Sequence, residues 1–287
     1  MNVNLASIVA LLSLLTLGVA NGVYAGGHTG PKKPKVEINI DAAKRSDVTG
    51  TVLVTGANRG IGLELVRNYA ERGWAVIGTA RKPERADELN AIAAENGKVS
   101  VVRMDLLDLD GIDALAESLA DTPIDVLLNN AAILGEPNEQ NLGSLDFDLM
   151  KRVFNVNVVG TMKMTEAFIP HVEKSTQKKI VAITSTQGSI SSVRSPSIVF
   201  YNTSKAALNM AMRSNSRALK RKGITVALVS PGAVDTDMMN LALDRAGVKF
   251  KLLTPQESAE AVINVIDQFD LEITGSFVSH GGEEIPW

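Results

Sequence analysis

The 287 residues include no cysteine. That excludes disulfides, thiolate metal sites and a cysteine nucleophile, and it leaves the redox compartment open because either environment tolerates such a chain. Histidine is scarce too. His28, His171 and His280 lie far apart without the spacing of metal ligands, so no metal site is expected. Nor does charge of one sign accumulate: 29 lysines and arginines are interleaved with 32 acidic residues for a net charge of −3. The basic stripe that DNA or RNA binding requires is missing, and no nucleic-acid partner is expected.

What is present is a chain 45% hydrophobic, enough for one sizeable core and too short for two ordinary domains with linkers. Residues 1–50 differ from the rest. An apolar run from Leu5 to Ala20 leads into small residues and then a Gly/Pro/Lys stretch from Gly26 to Lys35. Residues 1–25 read as a signal peptide or membrane anchor, 26–50 as a linker and 51–287 as the single domain. The apolar run is short for a spanning helix, which needs about 20 residues, and it suits a signal-peptide core ending at Val23-Tyr24-Ala25. Against cleavage, no lysine or arginine precedes the run, whereas Lys32, Lys33 and Lys35 follow it, an order that favours an uncleaved anchor with the domain facing the cytoplasm. A third reading is an apolar extension on a soluble cytoplasmic protein. The chain is thus expected to be exported or membrane-associated, with a cytoplasmic location as the alternative.

From Thr51 onward, short Val/Ile/Leu runs alternate with longer stretches of helical period, and none shows the polar/apolar alternation of a half-exposed antiparallel strand. Strands are expected near 51–55, 75–80, 99–104, 125–129, 179–184, 225–230 and 276–279, with helices between. This βαβ rhythm predicts an α/β fold: a doubly wound parallel sheet of Rossmann type in three α/β/α layers.

After the first strand comes Thr55-Gly56-Ala57-Asn58-Arg59-Gly60-Ile61-Gly62, which opens into a helical run from Leu63 to Arg72. Glycines here let the backbone turn tightly and approach a pyrophosphate, whose charge meets free N–H groups and the positive end of the helix dipole. In such folds an acid about 20 residues further on accepts the ribose 2′-hydroxyl of NAD. Here the second strand ends Thr79-Ala80-Arg81-Lys82. No carboxylate stands at its tip, and Arg81 is placed to bind a 2′-phosphate, with Arg59 as a second clamp. The cofactor is expected to be NADP(H).

Tyr201-Asn202-Thr203-Ser204-Lys205 begins a helical stretch to about Lys222, and the spacing of four puts Tyr201 and Lys205 on one face. A phenol has an ordinary pKa of about 10, and an adjacent ammonium is expected to stabilise the phenolate and bring the group towards a useful acid/base range. Ahead of it, at a strand end, lies Ile183-Thr184-Ser185-Thr186-Gln187-Gly188, where a hydroxyl can hydrogen-bond a substrate carbonyl.

In order, the Thr55 to Gly62 turn, Asn129-Asn130-Ala131-Ala132, Asn157, Ser185, Tyr201 with Lys205 and Pro231-Gly232 resemble the motifs of the short-chain dehydrogenase/reductase family over nearly all of 51–287. The phrase from Ser204 to Met210 and the ending Gly281-Gly282-Glu283-Glu284-Ile285-Pro286-Trp287 are most similar to its C-factor and sniffer-type carbonyl reductase branch. The resemblance implies an NADP(H)-dependent carbonyl reductase in which Tyr201 donates the proton, Ser185 holds the carbonyl oxygen, and Lys205 lowers the Tyr201 pKa and binds the nicotinamide ribose. It implies that Asn157, three residues before Gly160, holds a relay water; Asn155 is the competing position. Gly56, Asn58, Arg59, Gly60, Ile61 and Gly62 would form the phosphate turn. Asp105 and Leu106 would lie near the adenine, Asn129 would steady the sheet centre and the cofactor, and Pro231, Gly232, Val234 and Thr236 would line the nicotinamide.

Two departures stand out. Ala132 replaces the usual glycine, and the stretch from Ser185 to Tyr201 is slightly long, which leaves Thr186 as a rival hydroxyl; Ser185 is preferred because it stands three residues before Gly188. The substrate is expected to be a small-molecule carbonyl or alcohol, apolar in character because Met238, Met239, Leu241 and Leu243 lie in the 237–253 loop. A helix packed on neighbouring chain accounts for those residues equally well. The competing function is a signalling or scaffold protein of the same fold that binds NADP(H) with little catalysis. Stretches 147–169 and 201–222 form dimer faces in many family members, whereas the carbonyl-reductase branch includes monomers, so a homodimer, a homotetramer and a monomer all stay open.

Overall fold

The computed structural model describes residues 36–39, 48–192, 197–246 and 251–287. Residues 1–25, read above as leader or anchor, lie outside them, as do parts of the 26–50, 189–197 and 237–253 stretches. The chain divides into a unit of Met1–Lys35, outside the described residues, and a unit of Val36–Trp287.

Seven strands form one sheet: β1 (Thr51–Val54), β2 (Ala75–Ala80), β3 (Val99–Arg103), β4 (Val126–Asn129), β5 (Lys179–Ile183), β6 (Thr225–Ser230) and β7 (Phe277–Ser279). Each expected strand is present, with ends differing by at most one residue. Their order is β3-β2-β1-β4-β5-β6-β7, and every neighbouring pair is parallel. The winding reverses between β1 and β4, the crevice where this class of fold binds ligands.

The helices are α1 (Gly60–Glu71), α2 (Asp87–Glu95), α3 (Leu109–Ser118), α4 (Phe147–Phe154), α5 (Thr161–Lys174), α6 (Val199–Lys220), α7 (Asp237–Ala246) and α8 (Pro255–Gln268). Side chains alternate across the pleat, and the strands use both faces. Val52, Val54, Val181 and Val229 join Leu65, Val66 and Leu89 of α1 and α2 and Val262 and Ile266 of α8 in one core. Leu53, Leu127, Ile180 and Leu228 join Ile112 of α3, Met164 and Phe168 of α5 and Leu208 and Met212 of α6 in the other. This is the doubly wound three-layer architecture that the βαβ rhythm predicts.

Two local features depart from the simple reading. A π-helical turn, Asn155–Gly160, lies between α4 and α5. Side-chain periodicity does not reveal it, because the residues on either side keep a helical pattern. Within the stretch read as linker, Ile38 is buried; its N–H donates to Gly282 O at 3.0 Å, and the Val36 N–H donates to Glu284 Oε2 at 3.1 Å. Residues 36–38 thus lie against the turn that follows β7.

Candidate active site

The Gly turn leaves β1 at the crevice. Gly56 and Gly60 have φ of 66° and 55°, in the left-handed region that favours glycine. A methyl group at Gly62 would overlap the Gly56 carbonyl and come within 2.6 Å of Asn130 Nδ2, so only glycine lets α1 start this close to the turn. Arg59 is the N-cap, extended and making no side-chain cap, and the first turn of α1 carries no acidic residue. Free N–H groups without a competing carboxylate are what an anion requires. The turn is braced from β4: Thr55 Oγ1 accepts from the Asn130 and Ala131 N–H groups at 2.9 and 3.0 Å, and Asn130 Nδ2 donates to Thr55 O at 3.0 Å. Asn130 stood in the quoted motif without a role of its own.

Asn58, Arg59 and Arg81 are exposed at the rim, Ile61 is half-buried, and Ala80 before Arg81 is buried. Asp105 Oδ1 accepts from the Leu107 N–H at 3.0 Å, closing the turn after β3. Leu106 is buried, and a side chain at Gly160 would collide with its carbonyl, so the π turn and the β3 loop meet there. Asn129 is buried. Its Nδ2 donates to Thr165 Oγ1 at 3.4 Å, while its Oδ1 has no partner.

On the far side, Pro231 O accepts from Ser258 Oγ at 2.8 Å. Gly232 has φ of 88°, and a Cβ there would come within 3.0 Å of the His280 ring. Buried Val234 pairs with Leu253, and Thr236 Oγ1 accepts from the Met239 N–H at 3.3 Å at the start of α7. Thr236 also faces Gly60, since a Cβ there would lie 3.4 Å from its methyl group. The 231–236 segment and the Gly turn therefore form two walls of one cleft. The cradle fits a dinucleotide: bare helix N–H groups, glycines where side chains would collide, and two exposed arginines in place of an acid.

Tyr201 stands in the first turn of α6, with Ser185 at the end of β5 close enough to act on its phenol. Ser185 Oγ also accepts from the Gln187 N–H at 3.1 Å, which fixes the hydroxyl's place. Thr186 is exposed and its N–H donates to Ser230 Oγ at 3.1 Å, so Ser185 is the hydroxyl that meets Tyr201. Lys205 is buried; its Nζ donates to Ile183 O at 2.8 Å and stands 5.7 Å from the Tyr201 ring centre. Burial pushes the Tyr201 phenol up to about 12, against the pull of the Ser185 hydrogen bond, and pushes Lys205 down to about 8. The four-residue spacing predicts that Lys205 lowers the phenol; instead its ammonium is turned to the strand-end carbonyl, and burial is the largest influence on both groups.

Asn157 is buried in the π turn. Its Oδ1 accepts from the Ile133 N–H at 2.9 Å, and its Nδ2 donates to Ile133 O at 2.9 Å and to Ser204 Oγ at 3.0 Å. Both amide hydrogens are used, so the side chain clips the loop after β4 to α6. Asn155, the rival position, is exposed.

The pattern described as short chain dehydrogenase matches residues 50–246. C-signal of Myxococcus xanthus is 34% identical over 174 residues, 61% of this chain and 99% of that protein. An NADPH-bound carbonyl reductase from chicken fatty liver superposes with a TM-score of 0.75 at 29% identity, covering 83% of this chain and 99% of that one. The carbonyl reductase Sniffer of D. melanogaster does so with a TM-score of 0.75 at 26% identity, covering 84% and 100%. The family pattern spans the Gly turn, the Tyr201 helix and the β6 loop together, and the chain is therefore a member of the short-chain dehydrogenase/reductase family of oxidoreductases, in its C-factor and sniffer-type branch.

Proposed function

We propose that the protein is an NADPH-dependent carbonyl reductase in which Tyr201 gives a proton to the oxygen of an apolar aldehyde or ketone. The observation that carries this reading is Ser185 beside the Tyr201 phenol, one helical turn from buried Lys205, at the crevice end of the sheet. What the bound cofactor supplies is a hydride to the carbonyl carbon. Ser185 holds the carbonyl oxygen beside the phenol. A phenol pushed up to about 12 stays protonated at neutral pH, the state a proton donor needs. Lys205 binds the nicotinamide ribose and shares in returning the proton. With both Asn157 amide hydrogens committed, a relay water falls to its Oδ1 or its main-chain carbonyl.

Arg81 and Arg59 support NADP(H) over NAD(H), because guanidinium groups suit the 2′-phosphate and no acid waits for a 2′-hydroxyl. The NADPH in the chicken carbonyl reductase favours the same choice. Half-buried Met238 and Met239 on α7, which packs near the Pro137–Gln140 turn, support an apolar substrate. Exposed Phe147, Val159 and Met210 on α4, the π turn and α6 offer apolar surface that supports self-association. Residues 1–25 are proposed to direct export or membrane attachment; a mature N-terminus at Gly26 supports a cleaved leader, and intact Met1 in the soluble fraction contradicts both. The likeness to C-signal favours a second reading, a binding protein of the same fold. A panel of aldehydes and ketones, assayed for NADPH oxidation, separates the two: turnover that depends on the carbonyl supports the reductase, and NADPH binding without turnover supports the binding protein.

A further inference from the structure

Helix α6 begins without a cap of its own. Ile198 stands at the N-cap position and offers no side-chain acceptor, so the first N–H groups would end unpaired at a helix start where Ile198 and Phe200 are buried. Gln140 takes them from a distance. It closes the 3₁₀ turn Pro137–Gln140, 60 residues before Phe200 in the chain, and only 1% of it is exposed. Its Oε1 accepts from the Phe200 N–H at 3.0 Å and the Tyr201 N–H at 3.4 Å. Its Nε2 donates to Leu134 O at 2.9 Å and to Glu136 O at 3.5 Å.

Both lone pairs and both hydrogens of the amide are thereby occupied. Gln140 joins the backbone of Tyr201 to the 134–136 loop, and Asn157 joins Ile133 of the same loop to Ser204 one turn further along α6. A fully satisfied buried polar group specifies one arrangement, because any other leaves unpaired atoms. A carboxylate at 140 would cap the helix as well, but it would lack the donors for the loop and would place a negative charge beside the start of Tyr201. The neutral amide does both tasks without that charge.

We propose that Gln140 is a positioning residue for the reductase reaction, holding the first turn of α6 so that the Tyr201 phenol meets Ser185 and the substrate oxygen. This rests on the proposed role of Tyr201, and the test is chosen so that the two can fail separately. Gln140→Met removes acceptor and donors; Gln140→Glu keeps the acceptor alone. Five quantities are read in the full chain: kcat per NADPH-binding site, NADPH affinity, melting temperature, amide exchange of Phe200 and Tyr201, and the phenol titration of Tyr201 by absorbance difference from the same background carrying Tyr201→Phe. In Gln140→Met, kcat falls about 10- to 100-fold, the size of effect that a misplacement of about 1 Å produces. NADPH affinity stays within about twofold, exchange at both amides speeds at least about tenfold, and the phenol midpoint drops from about 12 towards 10 as water reaches it. Gln140→Glu keeps the two amides protected, recovers kcat only in part and moves the midpoint upward. A lower melting temperature with unchanged kcat and phenol midpoint would overturn the proposal and leave Gln140 a structural cap. If the wild-type protein reduces no carbonyl, the functional reading fails, while exchange and titration, which need no turnover, still decide the role of Gln140; unchanged values overturn it. Should Gln140→Met fail to fold, Gln140→Glu carries the test, and wild-type kcat with an unmoved midpoint overturns the proposal.

Discussion

Arg59 of the Gly turn and Asp237 of α7 form a 2.6 Å ion pair across the mouth of the cofactor cleft. Both side chains are largely exposed, 67% and 81%, so the pair is weakly held, at about 0–1 kcal/mol. Arg59 is one of the two guanidinium groups proposed to bind the 2′-phosphate, which makes Asp237 a competitor for it. Asp237→Asn is therefore expected to tighten NADPH binding by about twofold to fivefold at low salt, an effect that shrinks as salt screens the pair. Fluorescence titration at two ionic strengths checks this; weaker NADPH binding in the variant would mean that the pair closes over the cofactor instead of competing with it.

Arg81 follows buried Ala80 at the tip of β2 and is exposed to the cleft rim. Arg81→Ala is expected to raise the NADPH KM by about 10- to 100-fold, the loss of a charge-assisted hydrogen bond of about 1.5–3 kcal/mol, and to leave the NADH KM within about twofold. Parallel steady-state kinetics with the two cofactors measure it. Equal losses for both would remove the 2′-phosphate role.

The pH dependence follows from two buried groups. Tyr201, pushed up to about 12, holds its proton throughout the neutral range, so it sets no limb in the reductive direction below that point. Lys205, moved by burial from 10.5 to about 8, is an ammonium below about pH 8 and loses its charge above it. Reductive kcat/KM is expected to be level from pH 6 to 7.5 and then to fall by about a decade per pH unit as Lys205 deprotonates. Lys205→Met abolishes that limb as well as lowering the rate. Because the unfolded chain binds this proton up to 10.5 and the folded one only to about 8, the Lys205 contribution to stability rises with pH across that window. A reductive profile that climbs above pH 8 would contradict the assignment.

Much of this molecule is legible in its sequence because parallel strands buried on both faces leave continuous apolar runs, as in 226–229 and 180–183, whose ends are set by neighbouring polar residues and glycine. The Gly turn is legible for a related reason: Gly56 and Gly60 answer backbone conformations that other residues resist, and Gly62 answers a collision. Gln140 and Asn130 are not, although Gln140 holds the Phe200 and Tyr201 backbone and Asn130 holds Thr55. A loop amide leaves no periodicity, and its partners, 60 to 75 residues away, are decided only when β1, β4 and α6 come together. The raised pKa of Tyr201 is illegible for the same reason. Spacing places Lys205 one turn away, but it does not say that the ammonium faces Ile183 or that burial outweighs it.

The proposed carbonyl reduction stands or falls on Tyr201 as the proton donor. The most direct measurement is NADPH oxidation by wild type and Tyr201→Phe with the best aldehyde or ketone of a panel, alongside NADPH affinity for both proteins. The expected result is carbonyl-dependent turnover in wild type that falls by about 10²- to 10⁴-fold in Tyr201→Phe, the usual worth of a general acid, with affinity unchanged within about twofold. Activity in Tyr201→Phe above about a tenth of wild type would contradict it.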